Sequence, residues 1–210
     1  MDSPTWDVLI PTIPHRHEKL RALLTEFYRQ WQPGLGVRVL RDNLERPGLE
    51  SHAKRQELIE SSAADYVCDM DDDDWPAPDY VSSIMKALRS RPDYVGFQVS
   101  WTRDGNPHGD GVARHSLEYD RYSTEAPWTR DITHLNPLRR ELALLADWRG
   151  LIDEDWSACL RLSGRVKTQV MIDRVLYYYR HDTADNFYTE RTAWDRPLPP
   201  LPHYPWLTVL

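Results

Sequence analysis

Strand-like and helix-like segments alternate through the first half of the chain, and this alternation limits the possible folds more than any other feature of the sequence. Short apolar runs predict four strands, at residues 6–10, 37–40, 65–70 and 94–101. The segments between them repeat apolar residues at helical spacing, for example at Leu20, Leu23 and Phe27. We therefore predict an α/β fold with a mostly parallel central sheet and helices on both faces.

The second half of the chain has weaker patterns. A region rich in Gly, Asp, Arg and Tyr at 103–130 predicts a hairpin with loops, and 131–135 predicts a strand. Asn136 followed by Pro137 matches the N-cap and first position of a helix that ends at Gly150. The remaining expected elements are a helix at 155–162 and two paired short strands at 166–171 and 174–179.

The end of the chain is rich in proline and aromatic residues. Its prolines exclude a helix or a central strand, so we expect an extended segment packed along the domain. No internal repeat or obvious linker divides the chain. We therefore predict one domain, with a first half at about 1–101, a second half at about 102–185 and an extended tail at 186–210.

Charge and apolar content narrow the class of protein. A net charge of -7 and 40% hydrophobic residues fit a soluble globular protein, and the sequence gives no sign of the basic face that most nucleic-acid binders have; a local basic patch stays open. The sequence has no run of 18 apolar residues, as a membrane span needs, and no secretory signal pattern. Cys68 and Cys159 suit a reducing compartment as small buried side chains. We expect a cytoplasmic protein, and the sequence leaves its oligomeric state open.

Four consecutive aspartates, Asp71–Asp74, follow the third predicted strand. Ligands of open α/β sheets bind at the carboxyl ends of strands, and adjacent carboxylates repel one another unless a cation is present. Carboxylates at alternate positions can share a hard divalent ion, with substrate phosphates completing its shell. The run therefore predicts a metal-assisted phosphate site, and a solvated acidic turn is the alternative. A calcium EF-hand is excluded, because Asp74 and Tyr80 would occupy its glycine and glutamate positions.

At this aspartate cluster the chain resembles the GT-A glycosyltransferases, specifically the family 2 type with its DxD region. Other stretches match the family in the same order: Ile10-Pro11-Thr12 with Arg16, Ala53–Gln56 after Gly48, the "ED" acceptor motif at Gly150–Trp156 with Arg161, and Tyr179-Arg180-His181. The resemblance covers about residues 6–182. The chain departs from the family at Gln56, where relatives often have Asn, and at His181, which follows Arg180 directly.

The resemblance implies a nucleotide-sugar donor, with Mn²⁺ or Mg²⁺ as cofactor, in the first half of the chain. Asp73 is the implied metal ligand, Asp71 or Asp72 contacts the ribose or donor sugar, and the loop with Pro11, Thr12 and Arg16 faces the nucleotide. The register within the four aspartates is open by one residue.

Other candidates follow from residue chemistry. Asp42 can accept a hydrogen bond from a nucleobase or ribose, or it is a turn residue. Lys54 and Arg55 can reach a diphosphate or base, or they form an exposed helix face. A neutral imidazole binds divalent ions, so His181 is a candidate metal ligand, with a structural role as its alternative.

The acceptor half carries the implied general base, Asp155, with Glu154 and Trp156 as acceptor contacts. The alternative is that Glu154 and Asp155 have no catalytic role and only interact favourably with the dipole of a helix that begins there. The resemblance implies sugar transfer from a nucleoside-diphosphate sugar of the UDP type, with inversion, to a hydroxyl of a glycan, a protein or a modified nucleic acid. A nucleotidyltransferase and a non-catalytic sugar-binding module are the alternatives. The former usually has an early glycine-rich phosphate loop, and residues 10–20 contain no glycine.

Overall fold

The structure of the chain is a computed structural model that describes residues 3–41, 51–119, 128–149, 161–162, 164–181 and 200–210. The strands in these ranges are β1 Trp6–Thr12, β2 Leu35–Arg41, β3 Tyr66–Asp69, β4 Trp75–Pro76, β5 Tyr94–Arg103, β6 Asn106–His115, β7 Trp128–Arg130, β8 Leu138–Arg139, β9 Gln169–His181 and β10 Leu207–Val209. The helices are α1 His17–Gln30, α2 Ser51–Ser61, α3 Tyr80–Leu88 and α4 Arg140–Ala146, and a 3-10 turn at Pro14–Arg16 precedes α1.

The strands form one mixed sheet in the order β10-β2-β1-β3-β8-β5-β6-β7, with β9 beside β5 and β4 beside β9. The prediction of a mostly parallel sheet holds for β10, β2, β1 and β3. Beyond them the sheet is mixed. The short strand β8 lies between β3 and β5 and runs antiparallel to both, and β6 is antiparallel to β5, whereas β9 beside β5 and β7 beside β6 are again parallel. Strands β3 and β5 therefore still point the same way. The carboxyl ends of β1, β3, β5 and β9 consequently lie along one edge of the sheet.

Helices cover both faces of the sheet, as predicted. Successive residues of β1 show this, because Val8 packs in the apolar cluster with α1 and α3, whereas Leu9 packs in the cluster with α2 and α4. Cys68 is buried as expected, and burial raises the pKa of its thiol to about 12. In the described part of the chain, no helix combines the length and apolar character that a membrane crossing requires.

The prediction that Asn136 caps a helix is wrong. The side chain of Asn136 is fully buried, and its amide donates to the Val95 carbonyl oxygen. Its Oδ1 accepts from Thr133 and lies 2.7 Å from Nδ1 of His115. A buried amide needs such partners, and they hold it away from a capping position. The residues after it form β8, and the helix begins only at Arg140; the predicted strand at 131–135 is a turn region.

Residues 166–179 contain most of one long strand instead of two paired short strands. Strand β9 pairs in parallel with β5, from Tyr94 with Gln169 to Arg103 with His181. Two register shifts near Gln98 lie where the gap between the two predicted strands was expected, between Ile172 and Tyr177 of β9. The hairpin expected within 103–130 begins earlier than predicted, because β6 pairs antiparallel with β5, and β5 contains the strand predicted at 94–101.

The described end of the tail forms an edge strand. Strand β10 pairs in parallel with β2, and the Val37 amide donates to the Trp206 carbonyl oxygen at 2.9 Å. This position is compatible with the nearby prolines, since an edge strand needs fewer ladder hydrogen bonds. The first part of the expected tail, residues 186–199, lies outside the described residues. So do Cys159 and the helix expected at 155–162, except for its last two residues.

Candidate active site at the carboxyl edge of the sheet

The four aspartates lie in the turn that follows β3, at the edge where β1 and β9 also end. The Met70 amide donates to the Leu9 carbonyl oxygen at 2.9 Å, and the Asp74 amide donates to the Asp71 carbonyl oxygen at 3.1 Å. These bonds join the turn to β1 and close it on itself. The sheet edge therefore holds the acidic turn in one defined conformation.

Within the turn, the aspartate side chains alternate between two environments. Asp72 and Asp74 are 2% and 1% exposed, whereas the side chains of Asp71 and Asp73 are 28% and 13% exposed. The turn thus directs two carboxylates into the protein and leaves the other two partly exposed at its surface. The inward pair stabilises the turn, and the outward pair is available to a ligand.

Asp72 joins the turn to the segment after β1. Its Oδ2 accepts a hydrogen bond of 2.5 Å from the Thr12 hydroxyl, and its Oδ1 accepts one of 3.0 Å from Arg16. Burial raises the pKa of Asp72, although Arg16 and Thr12 oppose the shift. Burial alone would lower the pKa of Arg16, but the charges of Asp72 and Asp73 outweigh it and raise that pKa. Arg16 therefore stays charged beside the carboxylates.

Asp74 joins the turn to β9, more than a hundred residues later in the chain. It accepts hydrogen bonds from the Tyr177 hydroxyl at 2.6 Å and from the Arg180 amide at 2.7 Å. Burial and the nearby charge of Asp71 raise the pKa of Asp74 well above its ordinary value. The Arg180 guanidinium donates to the Asp73 carbonyl oxygen at 2.8 Å and lies over the Trp75 ring. Strand β9 is therefore part of the support of the turn.

Arg55, on α2, contacts the opposite side of the turn. Its side chain is buried, and Nη2 lies 3.0 Å from Oδ1 of Asp71 and 3.2 Å from Nε2 of His134. Its Nε lies 3.3 Å from Oδ2 of Asp69. An arginine in this position neutralises and orients carboxylates from two sides. Arg55 thus contacts Asp71 directly, which the sequence did not predict.

Asp73 has the chemistry of a cation ligand. Burial, with the charges of Asp72 and Asp71, raises its pKa to about 6 against the opposing effect of Arg16, whose Nη1 lies 2.9 Å away. Hard oxygen donors with surplus negative charge fit Mg²⁺ or Mn²⁺. Among the described residues, no group of three or more His, Cys, Asp and Glu side chains is placed to hold an ion. An ion here would need further ligands, such as diphosphate oxygens.

The other predicted donor-side residues lie at the same edge. Pro11 is buried in β1, and the Lys54 ammonium, which is also buried, donates to the Thr12 carbonyl oxygen at 3.2 Å. His181 ends β9 on the strand face that it shares with Tyr177, whose hydroxyl contacts Asp74. Neither Lys54 nor Arg55 is on an exposed helix face. The predicted residues Asp42, Glu154, Asp155 and Trp156 lie outside the described residues.

The sequence analysis did not identify the residues that contact the aspartate turn from distant parts of the chain. Tyr177, Arg180 and His134 contact the turn or its neighbours, yet none was a candidate. Arg180 stands in the Tyr-Arg-His motif, so a signal for it was present. Tyr177 has the weaker signal of alternation along β9, and we find no sequence signal for His134.

Replacing Tyr177 with phenylalanine tests the support that β9 provides. The change leaves the ring but removes the hydroxyl that donates to Asp74 and accepts from the Asp71 amide at 3.3 Å. Because both partners stay buried or half-buried, we expect unfolding to become easier by about 1–3 kcal/mol. Urea unfolding measures this. Tyr178→Phe, at an exposed position of the same strand, is the control and should change little. Equal stability of both variants would contradict a supporting role for the hydroxyl.

The fold is similar to that of solved nucleotide-sugar-binding proteins. Staphylococcus aureus TarS 1-349 superposes with a TM-score of 0.63 at 14% identity, covering 84% of this chain and 60% of that chain. The same protein in complex with UDP-GlcNAc gives a TM-score of 0.62 at 13% identity, covering 84% and 58%. The mannosyltransferase PcManGT from Pyrobaculum calidifontis, in complex with GDP-Man and Mn²⁺, gives 0.54 at 18% identity, covering 85% and 57%.

These similarities establish the fold. The chain has a GT-A-like fold of the kind seen in glycosyltransferases, as the sequence resemblance led us to expect. It spans less than two thirds of the length of each of these neighbours. No protein-family model matches the chain, and no curated protein matches it in sequence.

Proposed function

We propose that the chain is a metal-dependent glycosyltransferase that moves a sugar from a nucleoside-diphosphate sugar, of the UDP type, to an acceptor hydroxyl with inversion. The observation that carries this proposal is the aspartate turn, in which Asp71 and Asp73 are partly exposed while Asp72 and Asp74 are buried and hold the turn in place. This alternation supports the DxD register with Asp73 as metal ligand. The neighbours that bind UDP-GlcNAc, or GDP-Man with Mn²⁺, support the donor class.

Basic residues next to the turn give the donor its anion contacts. Arg16 follows β1 and stays charged, and the Lys54 ammonium lies at the end of that strand. A diphosphate needs such positive charge, since two phosphates and several carboxylates would otherwise repel one another. Thr12 and Pro11 then lie against the nucleoside, with Asp42 accepting from the base or ribose. Asp71, oriented by Arg55, contacts the ribose or donor sugar.

Asp73, together with His181 and the donor's phosphate oxygens, would hold Mn²⁺ or Mg²⁺. When bound, the ion stabilises negative charge on the departing nucleoside diphosphate. Arg16 adds to that stabilisation from the protein side, because its guanidinium already lies between Asp72 and Asp73. The inward carboxylates Asp72 and Asp74 position the turn and do not need to touch the donor.

Asp155 acts as the general base, with Glu154 and Trp156 contacting the acceptor. It takes the proton of the acceptor hydroxyl while the oxygen forms a bond to the anomeric carbon. The bond from that carbon to the diphosphate oxygen breaks, and the diphosphate leaves with the electron pair. Attack opposite to the leaving group inverts the anomeric centre.

Calorimetry with UDP, with and without Mn²⁺, tests the proposal. We expect UDP to bind at least about tenfold more weakly in EDTA, because the carboxylates then repel the diphosphate. Equal affinity in EDTA would contradict the metal bridge. Incubation with a panel of nucleotide sugars separates the reaction classes. Slow hydrolysis of one sugar nucleotide supports a transferase. Formation of a nucleoside triphosphate and a sugar phosphate when pyrophosphate is added indicates a nucleotidyltransferase, and binding without chemistry indicates a non-catalytic module.

A further inference from the structure

An aromatic cluster lies at the sheet edge directly beside the aspartate turn. The Trp101 and Tyr179 rings stack with centroids 4.3 Å apart, and Trp128 meets Trp101 edge-on at 5.7 Å. The exposed His108 meets Trp128 at 5.5 Å. These four residues come from β5, β9, β7 and β6, so the cluster depends on the tertiary fold. We call it the aromatic platform.

The platform adjoins the candidate active site through β9. Tyr179 is two residues beyond Tyr177, whose hydroxyl contacts Asp74, and two residues before His181. Side chains at this spacing share one face of a strand and follow one another by about 7 Å. The register pairs Trp101 with Tyr179 at the same step of the sheet. A molecule bound on the platform therefore lies next to the aspartate turn, on the side of the turn where β5, β6, β7 and β9 lie.

The platform combines apolar ring surface with polar groups at its edge. Trp101, Trp128 and Tyr179 are half-buried, so they have surface outside their mutual contacts. The buried guanidinium of Arg130 lies 5.6 Å from the Trp101 ring centre. The Trp101 indole nitrogen is buried and has no hydrogen-bond partner among the described residues. Rigid rings with convergent polar groups are typical of small-molecule sites.

We infer that this platform binds the acceptor and that the acceptor is a pyranose-containing glycan. One face of a pyranose ring presents C–H groups that pack on aromatic rings, while its hydroxyls point outward to polar partners. A sugar stacked on Tyr179 presents hydroxyls toward the aspartate turn, where the donor's anomeric carbon would lie. A nucleobase or an aromatic peptide side chain also stacks on such rings, but its ring carries no row of hydroxyls for transfer. This inference rests on the proposed function and names its acceptor class.

Saturation-transfer NMR with the full chain tests the inference. The probes are neutral trisaccharides of gluco, galacto and manno configuration, with adenosine as the competing stacking ligand, in the presence of UDP and Mn²⁺. We expect one trisaccharide to bind through the C–H protons of one ring face. Tyr179→Ala should raise its Kd by about three- to tenfold, the size of one aromatic contact, and Tyr179→Phe should stay within about twofold.

Matched variants keep the test decisive. Tyr28→Ala removes an exposed tyrosine that stacks on Tyr204 at the opposite end of the sheet order, and it should leave trisaccharide binding unchanged. If thermal melting shows that Tyr179→Ala is unfolded, Trp128→Ala takes its place with the same expected rise in Kd. Failure of every trisaccharide to bind while UDP binds with Mn²⁺, or adenosine binding with the same ring dependence, would overturn the glycan assignment. Trisaccharide binding without any UDP binding would support the platform and contradict the proposed donor.

Discussion

Asp73→Asn is expected to weaken Mn²⁺-dependent UDP binding by about 10–100-fold or more while the fold remains intact. Asp73 is partly exposed and lies among the negative charges of Asp71 and Asp72, so we propose its carboxylate as the cation ligand of the turn. The amide keeps the shape and loses the charge. Titration calorimetry of UDP at saturating Mn²⁺ measures the loss.

The control for this variant is Asp79→Asn. Asp79 precedes α3 close to the turn in sequence, but its carboxylate pairs with Arg174 and accepts from Ser83. UDP binding should therefore be unchanged by this substitution. If Asp73→Asn binds UDP normally, the ligand register is wrong, and Asp71 and Asp72 become the candidates to replace.

Without metal, the wild type and Asp73→Asn should also differ in how their thermal stability depends on pH. The pKa of Asp73 lies at about 6, above the ordinary value of 3.8, so the folded state binds this proton more tightly than the unfolded state. The stability that the folded wild type gains from this bound proton is fully present below about pH 4 and is lost as the pH rises through about 6. A pKa raised from 3.8 to about 6 corresponds to about 3 kcal/mol, so at neutral pH Asp73→Asn should melt about 6–12 °C above the wild type in EDTA. If the difference in melting temperature between the two proteins persists at low pH, the ionisation of Asp73 is not its cause.

Asp155→Asn is expected to lower sugar transfer by about 10²–10⁴-fold without changing UDP affinity, because a general base contributes about that much. The predicted helix that begins at Asp155 favours the ionised carboxylate, so the base is available at neutral pH. Asparagine preserves the shape and can accept hydrogen bonds, but it cannot take the proton of the acceptor hydroxyl. Initial-rate measurements at saturating donor, with calorimetry of UDP, separate the loss of turnover from any loss of binding.

Glu154→Gln is the matched comparison, since the neighbouring side chain is also acidic. We expect its turnover to exceed that of Asp155→Asn by at least about tenfold. A dead Glu154→Gln beside an active Asp155→Asn would move the base by one residue. Normal turnover in both variants would mean that the inverting mechanism built on this motif is wrong.

The local elements of the first half could be predicted because their signals are contained in short windows. Helices α1 and α3 and strands β1, β2, β3 and β5 lie where apolar periodicity placed them. The location of the aspartates could also be predicted from a short window, because a run that follows a buried parallel strand lies at the carboxyl edge of the sheet. The family resemblance and their residue chemistry make Thr12, Arg16, Lys54 and Arg55 candidates for donor contacts. In the structure Thr12 and Arg16 contact Asp72, Arg55 contacts Asp71, and Lys54 contacts the Thr12 carbonyl oxygen.

The sheet order in the second half could not be predicted in this way. Strand β8 has two residues and no periodicity of its own, and it exists because β3 and β5 leave an unpaired edge on each side. Strand β10 likewise depends on the exposed edge of β2. Such strands are determined by available hydrogen-bonding partners, and these partners are distant in sequence.

The sequence by itself determined that a run of four aspartates lies at the carboxyl end of β3. Only the tertiary structure decided which carboxylates are buried, because that choice depends on partners from β1, from the 3-10 turn after it and from β9. Thr12 and Arg16 hold Asp72, and Tyr177 and Arg180 hold Asp74. A buried carboxylate is stable only where donors meet it, and those donors are 56 to 106 residues away in the chain. The unequal roles of four identical neighbouring residues therefore arise from long-range packing.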